Sequence, residues 1–170
     1  KNDTFGRILT TYENVGKTQS YGFNLFGSYN PLPKWTLMSN IAVNTYEINS
    51  NLKGMNEGTF VNYNFFFRSA TSFKGGVSLE MFGVINSPQY TYQSKSGAIY
   101  IYGGAVKKEI LKKQGTIGLN VLNPFSRDLK INAISQGENN YQTQNSYYPI
   151  RSFGLNFSYK FGKLKFTEKK

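Results

Sequence analysis

Apolar and polar positions alternate along most of this chain. The clearest case is RSFGLNFSYKFGK, residues 151–163, where every odd position from Phe153 to Phe161 is large and apolar and the even positions between them are small or polar. Successive side chains of a β-strand point to opposite faces, so this period of two predicts a strand with one apolar face. The alternation leaves open whether that face meets a protein core or lipid.

The same period recurs along the chain and predicts eight strands, with no convincing amphipathic helix. Besides the closing strand and an opening segment around residues 5–12, the alternating stretches are residues 19–29, 35–45, 61–68, 77–86, 100–111 and 116–121. A barrel strand tilted by about 45° needs about 9–11 residues to cross the hydrocarbon of a membrane, and several of these stretches reach that length.

The connections between the predicted strands alternate in length from the second strand onward. Short connections at residues 30–34, 71–75 and 108–114 alternate with long polar ones at residues 47–58, 86–97 and 123–148. Outer-membrane barrels have short periplasmic turns and long outward loops, which a soluble sandwich has no reason to sort in this way. We therefore predict an all-β, antiparallel transmembrane β-barrel segment over residues 1–170, located in the cell outer membrane, with the C-terminal tail on the periplasmic side.

The composition agrees with a wall that has one lipid-facing side and one wet side. The chain of 170 residues has 14 Phe, 13 Tyr and 1 Trp, yet its mean hydropathy is −0.46. No run approaches the roughly 18 apolar residues that a membrane helix needs. Tyr29 and Trp35 flank the first short connection, where an interfacial girdle of aromatic residues belongs.

The residues needed for most catalytic and metal sites are absent from the sequence. There is no Cys and no His, so Ser152 and Ser158 have no histidine to activate them. Glu80 has no second carboxylate at a recognisable spacing for acid–base hydrolysis, and Asp128 with Glu138 is too small a set for Ca²⁺. We expect no catalytic site, no metal and no cofactor, and therefore not an enzyme.

The formal net charge of +11 raises the question of a nucleic-acid partner. The lysines, however, cluster in turns and tails, at residues 107–108, 112–113 and 169–170, while the aromatic residues occupy the alternating face. Single-strand binding needs the two interleaved in one groove, so we expect no nucleic-acid binding.

Two groups of residues are candidates for binding. Arg68 and Glu80 fall on the polar face of adjacent strands and form either a charged site in the lumen or an ion pair in a solvated wall. The long loop at 123–148 offers side chains suited to hydrogen bonding and stacking against a polar ligand such as a glycan, with a solvated loop as the alternative. These loop candidates are Asn139, Asn140, Tyr141, Tyr147 and Tyr148.

The last strand resembles the assembly signal of outer-membrane proteins. Ser152, Gly154, Phe157 and Tyr159 fit its pattern of polar–x–Gly–x–x–apolar–x–apolar, and Phe161 extends the apolar row. The resemblance implies recognition by the barrel-assembly machinery, with outer-membrane lipid around the folded wall. The apolar face and unpaired edge of a final strand suit it to template closure.

Further stretches resemble the C-terminal barrel of TonB-dependent outer-membrane receptors, closest to the SusC-like and related group. They are ENVGKTQSYGFNL at 13–25, NSPQ at 86–89, VLNPF at 121–125 and YKFG at 159–162. The likeness covers nearly the whole chain, but its motifs are structural. Asn123 departs from the pattern, which more often has Asp before Pro-Phe, a difference we expect to matter little for the fold.

The resemblance implies import of a glycan, a peptide or a metal chelate, energised by the TonB complex and aided by a surface lipoprotein, both acting through parts of the parent receptor. Such receptors have a TonB box, an N-terminal plug and about 22 strands. We therefore expect a C-terminal fragment of a larger barrel, as the opening KNDT in mid-pattern suggests. The alternatives are a complete eight-stranded outer-membrane barrel with a structural or adhesive role, and a soluble β-sandwich binding module.

Overall fold

The computed structural model describes residues 16–50, 56–137 and 140–162, and antiparallel β-strands form almost all of it. The strands are β1 Gly16–Leu32, β2 Trp35–Ser50, β3 Gly58–Phe73, β4 Val77–Asn86, β5 Ser94–Lys95, β6 Ile99–Ile110, β7 Gly115–Leu122, β8 Asp128–Gly137, β9 Asn140–Pro149 and β10 Ser152–Tyr159. Within these ranges, no helix is long and apolar enough to cross a membrane.

Seven strands form one large sheet in the order β1-β2-β3-β4-β6-β7-β10. The strands of this sheet follow one another in chain order, in an up-and-down arrangement. The skipped strands, β5, β8 and β9, form a second sheet. These seven correspond to seven of the eight strands that the alternation predicts. The eighth, around residues 5–12, lies outside the described residues.

The register places the predicted apolar positions on one continuous face, which we call the apolar face. Across five neighbouring strands, Leu25, Ile41, Phe65, Ile85 and Tyr100 stand opposite one another. A second row of this face, nearer the β10 edge, includes Val106, Leu119 and Leu155. Because paired residues point to the same side of a sheet, the period of two becomes a wall with apolar side chains on one side.

Among the described residues, no second sheet covers the apolar face of β10. Phe153, Leu155 and Phe157 are 65%, 81% and 64% exposed, respectively. A soluble β-sandwich would bury these side chains between two packed sheets. Their exposure fits a wall whose apolar side meets lipid.

The long connections contain more regular structure than the sequence predicts, and this corrects the expectation of plain loops. Residues 123–148 include most of β8 and β9, which form a hairpin, and residues 86–97 include β5, which pairs with β8. The connection at 47–58 is shorter than predicted, because β2 and β3 pair as far as Ile48 and Gly58. These two 16-residue strands exceed the hydrocarbon thickness even when tilted, so they extend beyond it.

The three short connections are tight turns, at residues 33–34, 74–76 and 111–114. Gly75 and Gly76 both adopt positive φ, which glycine tolerates without steric cost. Near the first turn, Tyr29 is exposed, and the indole N–H of Trp35 donates to Ser69 Oγ at 2.9 Å.

The best-packed part of the molecule lies at the end with the long connections, here called the loop end. Ile48 and Tyr46 are the buried apolar side chains among the described residues. Both lie on the side of the sheet opposite the apolar face, which we call the polar face. Segment 87–97 covers this part of β2 and β3, so the loop end has a small core where the wall itself has none.

Candidate functional site

The polar face has rows of asparagine, as the alternation predicts. Asn64 and Asn86 stand opposite each other, and the side-chain Nδ2 of Asn64 donates to Asn86 Oδ1. Further along the same face, on β7 and β10, Asn156 Nδ2 donates to Asn120 Oδ1 at 3.2 Å. Uncharged amides that bond to one another suit the wetted inner wall of a barrel.

The two predicted lumen charges meet on this face. Arg68 Nε and Glu80 Oε1 lie 2.8 Å apart, diagonally across β3 and β4, and both side chains are about one-third exposed. An Arg68 nitrogen also lies 3.7 Å from the sulfur of Met38. Since each charge is matched by the other, the geometry favours an ion pair in the wall over a free charged site.

Lysines surround a hollow of about 1010 Å³ at the end with the short turns. Lys34, Lys74, Lys107, Lys112 and Lys113 line it, whereas Glu80 and Glu109 are the acidic side chains there. These lysines lie in the three short turns and on β6, and the pairing of the strands brings them together. This end of the polar face is therefore electropositive.

An apolar band crosses the middle of the polar face, and the sequence analysis missed it. Phe66, Val84 and Ile101 stand in one row across β3, β4 and β6. Phe82 and Leu122 flank Gly103 in the next row. The signal was present in Phe65-Phe66-Phe67, because three successive apolar residues on a strand must place the middle ring on the opposite face.

At the loop end, Asn56 joins the connections into one structure, here called the loop assembly, residues 56–57, 87–98 and 128–137. Its Nδ2 donates to the carbonyl oxygens of Thr91 and Ser94 at 2.7 and 3.0 Å. Its backbone N–H donates to the carbonyl oxygen of Tyr92 at 3.0 Å. Its Oδ1 accepts from Gln136 Nε2 of β8 at 2.9 Å. One asparagine thus contacts both of the other long connections.

Aromatic side chains attach the same assembly to the wall. The Tyr46 hydroxyl accepts from the Tyr90 backbone N–H at 2.7 Å and donates to the Tyr90 carbonyl oxygen. Phe60 stacks on the Tyr90 ring with centroids 4.3 Å apart. The assembly is therefore held over the polar face by ring packing as well as by hydrogen bonds.

Asn123 shapes the bend between β7 and β8. Its Oδ1 accepts from the Tyr102 N–H at 2.9 Å, and its Nδ2 donates to the Tyr100 carbonyl oxygen at 3.2 Å. The side chain is 2% exposed and the residue has φ +43, a conformation that Asn tolerates better than most residues. An ionised Asp would lack the side-chain donor that Asn123 offers to the Tyr100 carbonyl oxygen.

The four predicted loop candidates that lie within the described residues do not form one patch. Tyr141 and Tyr147 share a face of β9 with Thr143 and Asn145, and both tyrosines are exposed. Lys130 Nζ lies 5.9 Å from the Tyr147 ring centroid on that face. By the same alternation, Asn140 and Tyr148 point to the opposite face, and Asn139 lies outside the described residues. We call the side with Tyr141 and Tyr147 the β9 tyrosine face.

The residues of the predicted assembly signal lie on β10 and just after it. Ser152 and Gly154 face the polar side, where a Cβ on Gly154 would come within 2.7 Å of Asn120 Oδ1. Phe157 and Tyr159 are on the apolar face, and the Tyr159 ring meets Phe161 edge-on at 4.6 Å. The other edge of β10 has no partner strand among the described residues. The role of these signal residues in barrel assembly stays a prediction.

The geometry defines a class of protein: an antiparallel β-wall with one apolar and one polar face, the arrangement that transmembrane β-barrels have. In the described parts of the chain, no three carboxylates form a group that could hold a metal ion. The chain belongs to the outer membrane protein β-barrel family, whose model matches residues 1–159. No curated protein and no solved structure matches the sequence.

Proposed function

We propose that this chain is part of the barrel of a TonB-dependent receptor that imports a polar nutrient, such as an oligosaccharide, a peptide or a metal chelate. The observation that carries the proposal is the apolar band on the polar face. Exposing such a band to a water-filled pore is unfavourable. Packing it against a folded element inside the barrel, as the plug of such a receptor would, removes that cost.

The shape of the sheet supports a barrel larger than eight strands. Among the described residues, β1 and β10 pair with no other strand at their outer edges. In the proposed receptor, further strands would pair with these edges, and the TonB complex and a surface lipoprotein would act through other parts of the protein. The function proposed for this chain is wall, surface recognition and assembly, without catalysis and without nucleic acid.

The β9 tyrosine face is the proposed contact for the nutrient. Tyr141 and Tyr147 are six residues apart, so their rings stand about 20 Å apart along the strand. Thr143 and Asn145 offer hydroxyl and amide groups between them. An extended polar ligand could stack on both rings and bond to the groups between them.

Growth of the native host on single nutrients tests the receptor function. We expect deletion of the gene to abolish growth on one oligosaccharide or peptide at low concentration, and deletion of the TonB gene to do the same. Growth that needs this protein but not TonB would contradict the proposal and favour a pore or structural role. A reading frame without an upstream plug would do so as well.

Purified protein tests the recognition face. Replacing Tyr141 and Tyr147 with alanine should weaken binding of that nutrient by about fivefold or more, because aromatic stacking contributes about 0.5–1.5 kcal/mol per ring. Tyr148→Ala, on the opposite face of β9, is the matched control and should bind as the unmodified protein does. Equal loss in both variants would count against the β9 tyrosine face as the binding surface.

A further inference from the structure

An apolar groove of about 440 Å³ crosses the apolar face between β4, β6 and β7. It exists because Gly104 stands between Met81 and Val121 in a row of large side chains. A Cβ at Gly104 would lie 2.8 Å from the Glu80 carbonyl oxygen, so the strands also approach closely there. The walls of the groove include Met81, Val106, Leu119 and Val121.

Phe125 stands at the mouth of the groove, toward the loop end. The ring is 88% exposed and stacks on Tyr102 with centroids 6.3 Å apart. The buried Asn123 fixes the bend that presents this ring, through its side-chain bonds to the backbone of β6. A large ring held out by a rigid bend beside an apolar wall is suited to a lipid environment.

Two arginines lie in the same bend. The Arg127 carbonyl oxygen accepts from the N–H groups of Ile150 and Arg151, at 3.1 and 3.2 Å, so Arg127 and Arg151 are adjacent across the hairpin. Both residues are exposed. Arg127 Nε is 3.9 Å from Asp128 Oδ1, at the limit of an ion pair. Exposed guanidinium groups bind phosphate oxygens through bidentate hydrogen bonds.

We propose that the groove and the two arginines together bind one phosphorylated membrane lipid. An acyl chain lies along Gly104 with Phe125 against it, and the phosphate is bound by Arg127 and Arg151. Lipid is the occupant because the groove opens on the apolar face of an outer-membrane barrel, where acyl chains surround it. The positive charge at the mouth selects an anionic headgroup.

Native mass spectrometry tests this on protein purified from the membrane and stripped of lipid in detergent. The probes are phosphatidylglycerol and phosphatidylcholine with the same acyl chains. We expect phosphatidylglycerol to be retained at least tenfold better, since each Arg near a lipid surface contributes about 1 kcal/mol, or about fivefold. Replacing Arg127 and Arg151 with glutamine should remove the preference, whereas glutamine at Lys112 and Lys113 should preserve it.

A matched pair of substitutions tests the groove. Leu119→Trp fills it, whereas Leu155→Trp makes the same change at the directly paired position outside it. We expect at least fivefold less bound lipid in the first variant and normal binding in the second. Phe125→Ala, on the exposed bend, provides a second groove variant should Leu119→Trp fail to fold, as judged by heat-modifiable migration.

The proposal fails if the Leu119→Trp or Phe125→Ala protein folds and retains as much phosphatidylglycerol as the unmodified protein. It also fails if both tryptophan variants lose lipid equally, because the groove would then have no special role. A preference for phosphatidylglycerol that persists in the double arginine variant would equally overturn it.

Discussion

Individual polar side chains organise the loop assembly, and Asn56 makes the most contacts among them. Its amide uses both donor and acceptor groups, with two carbonyl oxygens on one side and Gln136 on the other. A buried or half-buried hydrogen bond contributes about 1 kcal/mol, and a lost partner costs more when the remaining group cannot reach water. Asn56 therefore links its own connection to both of the other long connections.

Asn56→Asp should loosen the loop assembly without unfolding the barrel. The carboxylate keeps an acceptor for Gln136 but has no donor for Thr91 and Ser94, whose carbonyl oxygens it would repel. Hydrogen exchange should show amides of residues 91–96 and 134–136 opening about tenfold faster or more, because two bonds of about 1 kcal/mol are lost.

Asn145→Asp is the control, since it makes the same change at an exposed position on β9. Its exchange rates should match those of the unmodified protein. If Asn56→Asp left the exchange rates of residues 91–96 unchanged, Asn56 would not stabilise the loop assembly, and Tyr46 and Phe60 would be sufficient to hold it.

At the scale of the element, the two faces of each strand differ sharply in what they tolerate. Leu155 and Asn156 are neighbours on β10, but one is on the apolar face and the other on the polar face. Leu155→Arg should lower the free energy of unfolding in phospholipid vesicles by about 2–4 kcal/mol, as expected for a charge facing the bilayer midplane. Asn156→Arg should change it by less than about 1 kcal/mol.

Equilibrium denaturation in vesicles measures both variants. The comparison is internal, because the two changes introduce the same side chain one residue apart. Equal destabilisation would mean that the two faces have the same environment, which would contradict a wall with lipid on one side and water on the other. A larger effect at Asn156 would reverse the assignment of the faces.

The sequence predicts the strands well where alternation is strict and less well where polar residues carry the structure. Strands β1 to β4, β6, β7 and β10 follow from period two, because lipid on one side and water on the other select the side chains. The sequence predicts a loop at β8 and β9, because both faces of these strands are polar or exposed. Their regular structure comes from strand pairing and from the contact of Gln136. Likewise, nothing local marks Asn56 or Asn123, whose partners are distant in sequence.

At the scale of the whole molecule, the two ends of the wall differ in charge and in structure. At the end with the short turns, here called the turn end, lysines line a hollow. At the loop end lies the packed loop assembly. We predict that the turn end is periplasmic and the loop end is outside the cell. The orientation follows from the rule that outward loops are the long ones.

The absence of cysteine from the chain makes this orientation simple to measure. A single Gln142→Cys on β9 should react with a membrane-impermeant maleimide on intact cells. Lys74→Cys in the second turn should react only after the outer membrane is opened. The reverse labelling pattern would invert the topology, and labelling of both sites in intact cells would show that the envelope was leaky.

The bend at Asn123 and Arg127 divides one long hairpin into two parts. Below it, β7 and β10 form the wall, and above it β8 and β9 project outward. The Arg127 carbonyl, which accepts from both Ile150 and Arg151, closes the ladder at the boundary. Residues 128–149 should therefore be exchangeable as a unit when the graft keeps Gln136 and the pairing of β8 with β5, so that the recognition surface changes while the wall stays the same.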